Sequence, residues 1–393
     1  MIERVLNRVA AGFGRKELAA LLAAVLAAQV SAALAAEAKQ AGLPQFIEAN
    51  FPLWNANHDG VLRREEIDRL MGNRSIQGRE AAVLVTIYRQ MKKDDDGGEN
   101  AQRTKAEVLA LAGDRDFQKA VDAATKKLDS LDRRLFAPGD PDLLSFHQGH
   151  VGDCFLLAAI AADVHRDPTA VRLMIHTASN GGFKVAFRDG SLINVPALTD
   201  AELLLGSKMD GNHGIWLGVL EKAYGIIRER ISAEKTGEPV DPKAAPPEEV
   251  ISGGRPGPII SLLTGHEAKG VRNEHGPHKN GKGMSNEQLH ELLMQLTRDR
   301  RLMCTAVSRD AKHPPGIAGH HVYAVFGYDA AKREVILFNP WGQTFQPQGE
   351  PGPTHGYPVS HGVFNVPLGD FREIFNGIVY ETTTPVHSAA VKK

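Results

Sequence analysis

From Gln148 the chain reads Gln-Gly-His-Val-Gly-Asp-Cys, and the residues that follow, Phe155-Leu156-Leu157-Ala158-Ala159, are apolar and alanine-rich. This stretch constrains the fold more than any other. A glycine-bearing turn has to deliver a cysteine to the start of a buried helix. At that point unpaired backbone N–H groups and the positive end of the helix dipole favour the thiolate of Cys154 over the thiol. Gln148 lies six residues upstream, so its side-chain amide can fold back and donate beside the sulfur. A nucleophile and an oxyanion donor are two of the parts needed for acyl transfer.

The length of 393 residues implies two or three domains and ample core. Lys plus Arg number 46 against 47 Asp plus Glu, a balance that gives no general attraction to nucleic acid or to an anionic membrane. The cysteines are Cys154 and Cys304 alone, too few for a disulfide scaffold or a cysteine-built zinc site. Cys304 falls inside an apolar run and reads as a buried, inert thiol.

Residues 1–17 carry Arg4, Arg8, Arg15 and Lys16, and the uncharged stretch 18–36 contains ten alanines. Three readings stand for segment 1–38: a secretory signal cut near Ala33-Leu34-Ala35, a weakly apolar anchor, or an alanine-rich helix. The first implies a secreted or periplasmic protein, and the last a cytoplasmic one. Stable insertion in a membrane is not expected. Residues 39–138 read as a helical module, closed by the breaker cluster Ala137-Pro138-Gly139-Asp140-Pro141-Asp142. Beyond it, residues 139–384 turn toward strands, and 385–393 read as a tail. Phe183 to Val195 alternates apolar and polar residues around Asp189-Gly190, a hairpin signal. Residues 215–231 read as helix, and Leu302–Val307, Val322–Tyr328 and Glu334–Phe338 as successive strands. Residues 233–250 and 266–285 read as exposed loops, whose histidines His266, His275 and His278 match no metal-ligand spacing.

A cysteine nucleophile needs a base, and the base needs an orienter. Gly319-His320-His321-Val322-Tyr323 puts two histidines at the entry of an apolar strand, where alternation lets only one face Cys154. Asn339-Pro340-Trp341-Gly342 closes the next strand. Asn339 can accept from one imidazole nitrogen and leave the other for sulfur, while Trp341 shields that bond from water. Asp153 reads as the helix N-cap.

Gln148–Ala159, His321–Val325 and Asn339–Gly342 together resemble the three active-site motifs of the calpain family, a branch of the papain-like cysteine proteases. Trp216–Tyr224 resembles that family's lobe helix. Ser252-Gly253-Gly254 with Thr264-Gly265 resembles its cleft strand and loop, and Phe364–Phe371 the end of its core. The likeness spans about 140–382. It implies Cys154 as nucleophile, His321 rather than His320 as base and acid, Asn339 as orienter, and Gln148 with the Cys154 N–H as oxyanion donors. Two positions depart from it. Phe155 stands where the family has tryptophan. Ser145 and Gly214 stand where its core calcium site has acidic residues, so no carboxylate is present for that site.

Asn55 to Glu66 resembles an EF-hand loop. Asn55, Asn57 and Asp59 supply oxygens at positions one, three and five, with Gly60 at six, the Val61 carbonyl at seven and Glu66 at twelve. This implies weak calcium binding, since only Asp59 and Glu66 are acidic. A second acidic run begins at Asp94, two residues too far from Glu107 for such a loop.

The expected fold is α+β: a papain-like helical lobe and an antiparallel-sheet lobe, preceded by an all-α EF-hand-like region. The expected activity is cleavage of protein or peptide substrates by a cysteine endopeptidase. No cofactor is needed for the chemistry, and calcium is a regulatory or structural candidate. Two alternatives use the same fold: a catalytically silent or calcium-responsive peptide-binding protein, and a papain-fold acyltransferase.

Overall fold

The structure, a computed structural model, describes residues 42–94, 101–143, 146–207, 213–237, 251–273, 283–308 and 312–386. The N-terminal leader readings, most of the Asp94 run, Ser145, most of the 233–250 loop, His275, His278 and the tail from 387 lie outside the described residues. Among the described residues no helix is long and apolar enough to cross a membrane. Contacts gather the chain into two compact units. One ends at Ile67 and resumes over Thr86–Asp122; the other is formed by Asp68–Val85 and the chain from Ala123 onward.

The first unit holds α1 (Leu43–Trp54), β1 (Val61–Arg63), the start of α2 (Arg64–Met71), the end of α3 (Gly78–Asp94), β2 (Gln102–Thr104), α4 (Lys105–Leu111) and the start of α5 (Arg115–Ser130). Leu43, Phe46, Ile47, Phe51 and Trp54 recur at helical spacing on α1 and are buried. Thr104 and Glu107 close a capping box at the start of α4. β1 and β2 pair antiparallel, with Leu62 opposite Arg103. Glu66 and Glu107 then occupy matching places. Glu66 accepts from Arg63 N–H at 3.0 Å and Glu107 from Thr104 N–H at 2.7 Å.

The second unit mixes helix and antiparallel sheet. Its first half carries α6 (Cys154–Arg166), α7 (Pro168–Arg172), a three-stranded sheet of β3 (Ile175–Thr177), β4 (Phe183–Ala186) and β5 (Leu192–Val195), then α8 (Asp200–Leu205), α9 (Trp216–Thr236) and α10 (Pro256–Thr264). The expected hairpin joins β4 to β5 through Gly190, whose φ of 94° suits the turn. Its second half is a six-stranded sheet in the order β10-β9-β8-β7-β11-β6. The strands are β6 (His266–Arg272), β7 (Met303–Val307), β8 (His321–Asp329), β9 (Glu334–Phe338), β10 (Val363–Pro367) and β11 (Gly377–Pro385), with α11 (Asn286–Arg298) and α12 (Leu368–Ile374) beside them.

β8 is central and covered on both faces, which explains its unbroken apolar run. Val322 and Ala324 join the core built around α6, while Tyr323 and Val325 join the core built with α11 and α12. α6 is buried from Phe155 to Val164. Its far end is tied down by Asp163, which pairs with Arg166 at 2.7 Å and Arg188 at 2.9 Å, and Arg166 reaches Glu381 of β11 at 2.8 Å.

Two local expectations change. Residues 266–272 form the edge strand β6 instead of a loop; its alternating exposure looked polar because its outward face meets water. Ser252-Gly253-Gly254 and Thr264-Gly265, expected as a cleft strand and loop, are joined by α10, which takes in Thr264. Pro256 enters its first turn, and Gly265 ends it at φ 73°.

Candidate active site

Cys154 is the first residue of α6. The turn before it is fixed by close backbone approaches that exclude side chains. A Cβ on Gly149 would lie 2.0 Å from the Gly206 carbonyl oxygen, and one on Gly152 would lie 2.6 Å from Ser252 Oγ. His150 N–H donates to Leu205 O at 2.9 Å, and Gly253 N–H donates to Gly152 O at 2.9 Å. Gln148 N–H donates to Pro340 O at 2.8 Å, which joins the turn to the residue after Asn339. The Gln148 side chain turns back onto its own loop. Its Nε2 donates to Val151 O at 2.7 Å, and its buried Oε1 has no partner.

The two histidines at the start of β8 differ in their surroundings. His320 is exposed at φ 53°, and this left-handed turn directs the next residue inward. His321 is only 4% exposed, and its Nε2 lies 2.8 Å from Asn339 Oδ1, itself on a residue 1% exposed. Nδ1 is thereby left for another partner. The indole of Trp341 leans over the imidazole with ring centroids 4.6 Å apart, and Trp341 N–H also donates to Asn339 Oδ1 at 3.0 Å. The Cys154 sulfur lies against the backbone N–H of Val322, the residue after His321.

Burial raises the Cys154 thiol above its ordinary value; the Val322 N–H opposes this and the Asp153 charge adds to it. Burial also holds His321 down to about 4, against the Asn339 bond and with a further push from His320. Dehydration thus opposes the pull of the helix terminus toward the thiolate.

Phe155, in the place of the family's tryptophan, is fully buried. It packs on Gly254, where a Cβ would stand 2.5 Å from the ring, and it meets Tyr224 edge-on at 5.9 Å. Arg228 donates to Gly253 O at 2.7 Å and braces the same segment, a contact with no signal in the sequence. Asp153 sits at the N-cap position without a side-chain cap bond. Cys304 is buried in β7, with its thiol driven up by burial alone.

The core calcium positions of the calpain pattern do not fit an ion. Ser145 lies outside the described residues, and at Gly214 a Cβ would come within 2.5 Å of the Arg134 and Leu135 carbonyl oxygens. Asp140 binds that segment directly, accepting from Gly214 N–H at 2.7 Å and standing 2.8 Å from His213 Nδ1. In the first unit Asn55, Asn57, Asp59, Val61 and Glu66 do converge. The centre of their oxygens is filled by Asn55 Nδ2, which lies 2.7 Å from Asn57 Oδ1, 3.1 Å from Asp59 Oδ1 and from Val61 O, and 3.4 Å from Glu66 Oε1. Asn55 Oδ1 meanwhile accepts from Gly60 N–H at 2.8 Å. As arranged, the loop is closed by an amide in the place an ion would take. His266 bonds to Glu381 at 2.9 Å.

The family profile described as "Calpain family cysteine protease" matches residues 125–350, a span that contains Gln148, Cys154, His321 and Asn339. Human Calpain-9 is similar at 27% identity over 220 residues, which covers 50% of this chain and 28% of that protein. The chain thus corresponds to a minor part of that relative's length.

Proposed function

The chain belongs to the calpain family of cysteine proteases, and from that membership we propose that it is an endopeptidase working through Cys154, His321 and Asn339, with Gln148 as oxyanion donor. The observation that carries this is the buried 2.8 Å bond from His321 Nε2 to Asn339 Oδ1, beside the Val322 N–H that meets the sulfur.

The chemistry follows from the arrangement. Asn339 accepts from Nε2–H and so fixes the tautomer in which Nδ1 is the free base. On substrate binding, His321 Nδ1 takes the Cys154 proton as sulfur attacks the peptide carbonyl carbon. The oxygen gains negative charge and is received by the Cys154 backbone N–H and the second Gln148 Nε2 hydrogen. His321 then protonates the departing amine. The thioester left on Cys154 is hydrolysed by a water whose proton returns to His321, and the acid and free thiol are released. The substrates are proteins or peptides. Calcium enters this proposal only at the helix–loop–helix unit, where an ion would have to displace the Asn55 amide.

A peptide-binding lobe that does not cut is the second reading, favoured by the burial that raises the Cys154 thiol above its ordinary value. The two differ in a direct assay. Casein cleavage by the full chain, with and without calcium or a chelator, is expected and is expected to vanish in Cys154→Ala. Cleavage that survives the substitution would overturn the assignment of the nucleophile.

A further inference from the structure

We propose that His147 is a positioning residue whose ring clasps the oxyanion turn to the segment that carries Asn339, an inference that rests on the cysteine-protease reading above. His147 stands directly before Gln148, and its Nδ1 lies 3.0 Å from the Trp341 carbonyl oxygen. A carbonyl can only accept, so the hydrogen of this bond is on Nδ1. The neutral ring in that tautomer and the protonated ring both supply it.

The ring occupies a place that only glycine leaves open. Gly342 has φ 65°, and a Cβ there would lie 2.2 Å from His147 Nδ1 and 2.5 Å from its Cε1. Glycine is therefore required twice, by its own backbone and by the imidazole against it. Gly342 N–H donates to Asn339 O at 2.9 Å, so the residues from Asn339 to Gly342 form a closed turn. Gln148 N–H donates to the Pro340 carbonyl of that turn at 2.8 Å, and His147 Nδ1 donates to the Trp341 carbonyl beside it. One residue earlier, Phe146 is fully buried and meets Phe338 edge-on at 5.9 Å. Phe146, His147 and Gln148 thus hold the far segment at Phe338, Trp341 and Pro340.

The clasp joins the two halves of the chemistry. On one side, the stretch ends in Gln148, the oxyanion donor. On the other, the turn presents Asn339 Oδ1 to His321 Nε2 at 2.8 Å and the Trp341 indole to the imidazole at 4.6 Å. Trp341 is 43% exposed, so packing holds its indole only in part, and the His147 bond fixes the backbone that carries it. Without the ring, Trp341 O loses this donor and Gly342 is uncovered. The Gln148 N–H and the Phe146 packing are then left to hold the turn, and the separation of base and oxyanion donor is less sharply fixed.

His147 acts through Gln148 and Trp341 and is not a second base, because its Nδ1 hydrogen is engaged with the Trp341 carbonyl. His147→Asn keeps a donor in the same place, since the amide nitrogen of asparagine is as many bonds from the backbone as Nδ1 of histidine. His147→Ala keeps none.

The test uses the full chain and three readouts: casein kcat and KM, thermal unfolding, and acrylamide quenching of tryptophan fluorescence. Of the three tryptophans, Trp54 and Trp216 are buried, so quenching reads Trp341. His147→Ala is expected to lower kcat about tenfold with KM within about twofold, as for misplaced reacting groups. It should also raise the quenching constant and leave the unfolding midpoint nearly unchanged. His147→Asn is expected to restore most of kcat and the wild-type quenching. The proposal is overturned if His147→Ala keeps wild-type kcat and quenching, or if His147→Asn is as slow as His147→Ala. If the wild type does not cut casein, the protease reading fails, and quenching in the two variants still decides the clasp. If His147→Ala does not fold, His147→Asn decides it: near-wild-type kcat and quenching support the clasp, and a loss of about tenfold in kcat overturns it.

Discussion

Asn339→Ala should silence the site without emptying it. The substitution removes the acceptor 2.8 Å from His321 Nε2, in a position where the imidazole is 4% exposed and water cannot replace the lost partner. A buried donor stripped of its partner costs about 1–3 kcal/mol, equivalent to about 5- to 150-fold in the population holding Nδ1 toward the sulfur. Trp341 N–H loses the same acceptor, so the indole over His321 loosens as well. Because none of these groups grips substrate, the loss should fall on kcat: about 10- to 100-fold, with KM within about twofold. Initial rates on a fluorogenic casein across substrate concentrations separate the two constants. Asn339→Asp keeps the acceptor and should retain far more activity, with its acid limb moved upward by the added charge. Wild-type kcat in Asn339→Ala, or equal loss in both variants, would refute the reasoning from the hydrogen bond.

Three other outcomes follow from the same geometry. Asn55→Asp exchanges the amide nitrogen at the loop centre for an oxygen and a charge, so the full chain should gain saturable terbium luminescence that wild type lacks at this loop; a wild-type signal abolished by Glu66→Gln would mean that the ion displaces the amide. Gly254→Ala pushes a methyl to within 2.5 Å of the Phe155 ring and should cost about 1–3 kcal/mol in urea unfolding, and no loss would mean that this contact relaxes freely. His321 binds its proton less tightly when folded than the ordinary 6.5, at about 4, so stability should be lost as pH falls through that window, by about 3 kcal/mol at ~1.4 kcal/mol per pKa unit, and His321→Ala should remove that slope in denaturant titrations at pH 7 and pH 4.

The site residues were legible because their chemistry restricts residue type and spacing together. A turn that approaches carbonyl oxygens at 2.0 Å has to be glycine at Gly149, and a histidine opening an apolar strand stands out at His321. The N-cap preference of aspartate places Asp153 at the start of α6, but its side chain makes no cap bond there. Asn55 matched an ion ligand by spacing, but which end of its amide faces inward is decided by the Gly60 N–H. The helix terminus that favours the Cys154 thiolate is local and readable, but the dehydration that opposes it comes from the whole fold.

The most direct measurement is the mass of the full chain after treatment with a thiol-directed epoxide, followed by peptide mapping and residual casein hydrolysis. One adduct on Cys154, formed in proportion to the loss of activity and suppressed in His321→Ala, is the predicted result. Adduct formation on Cys304, or full activity in protein fully modified at Cys154, would contradict it.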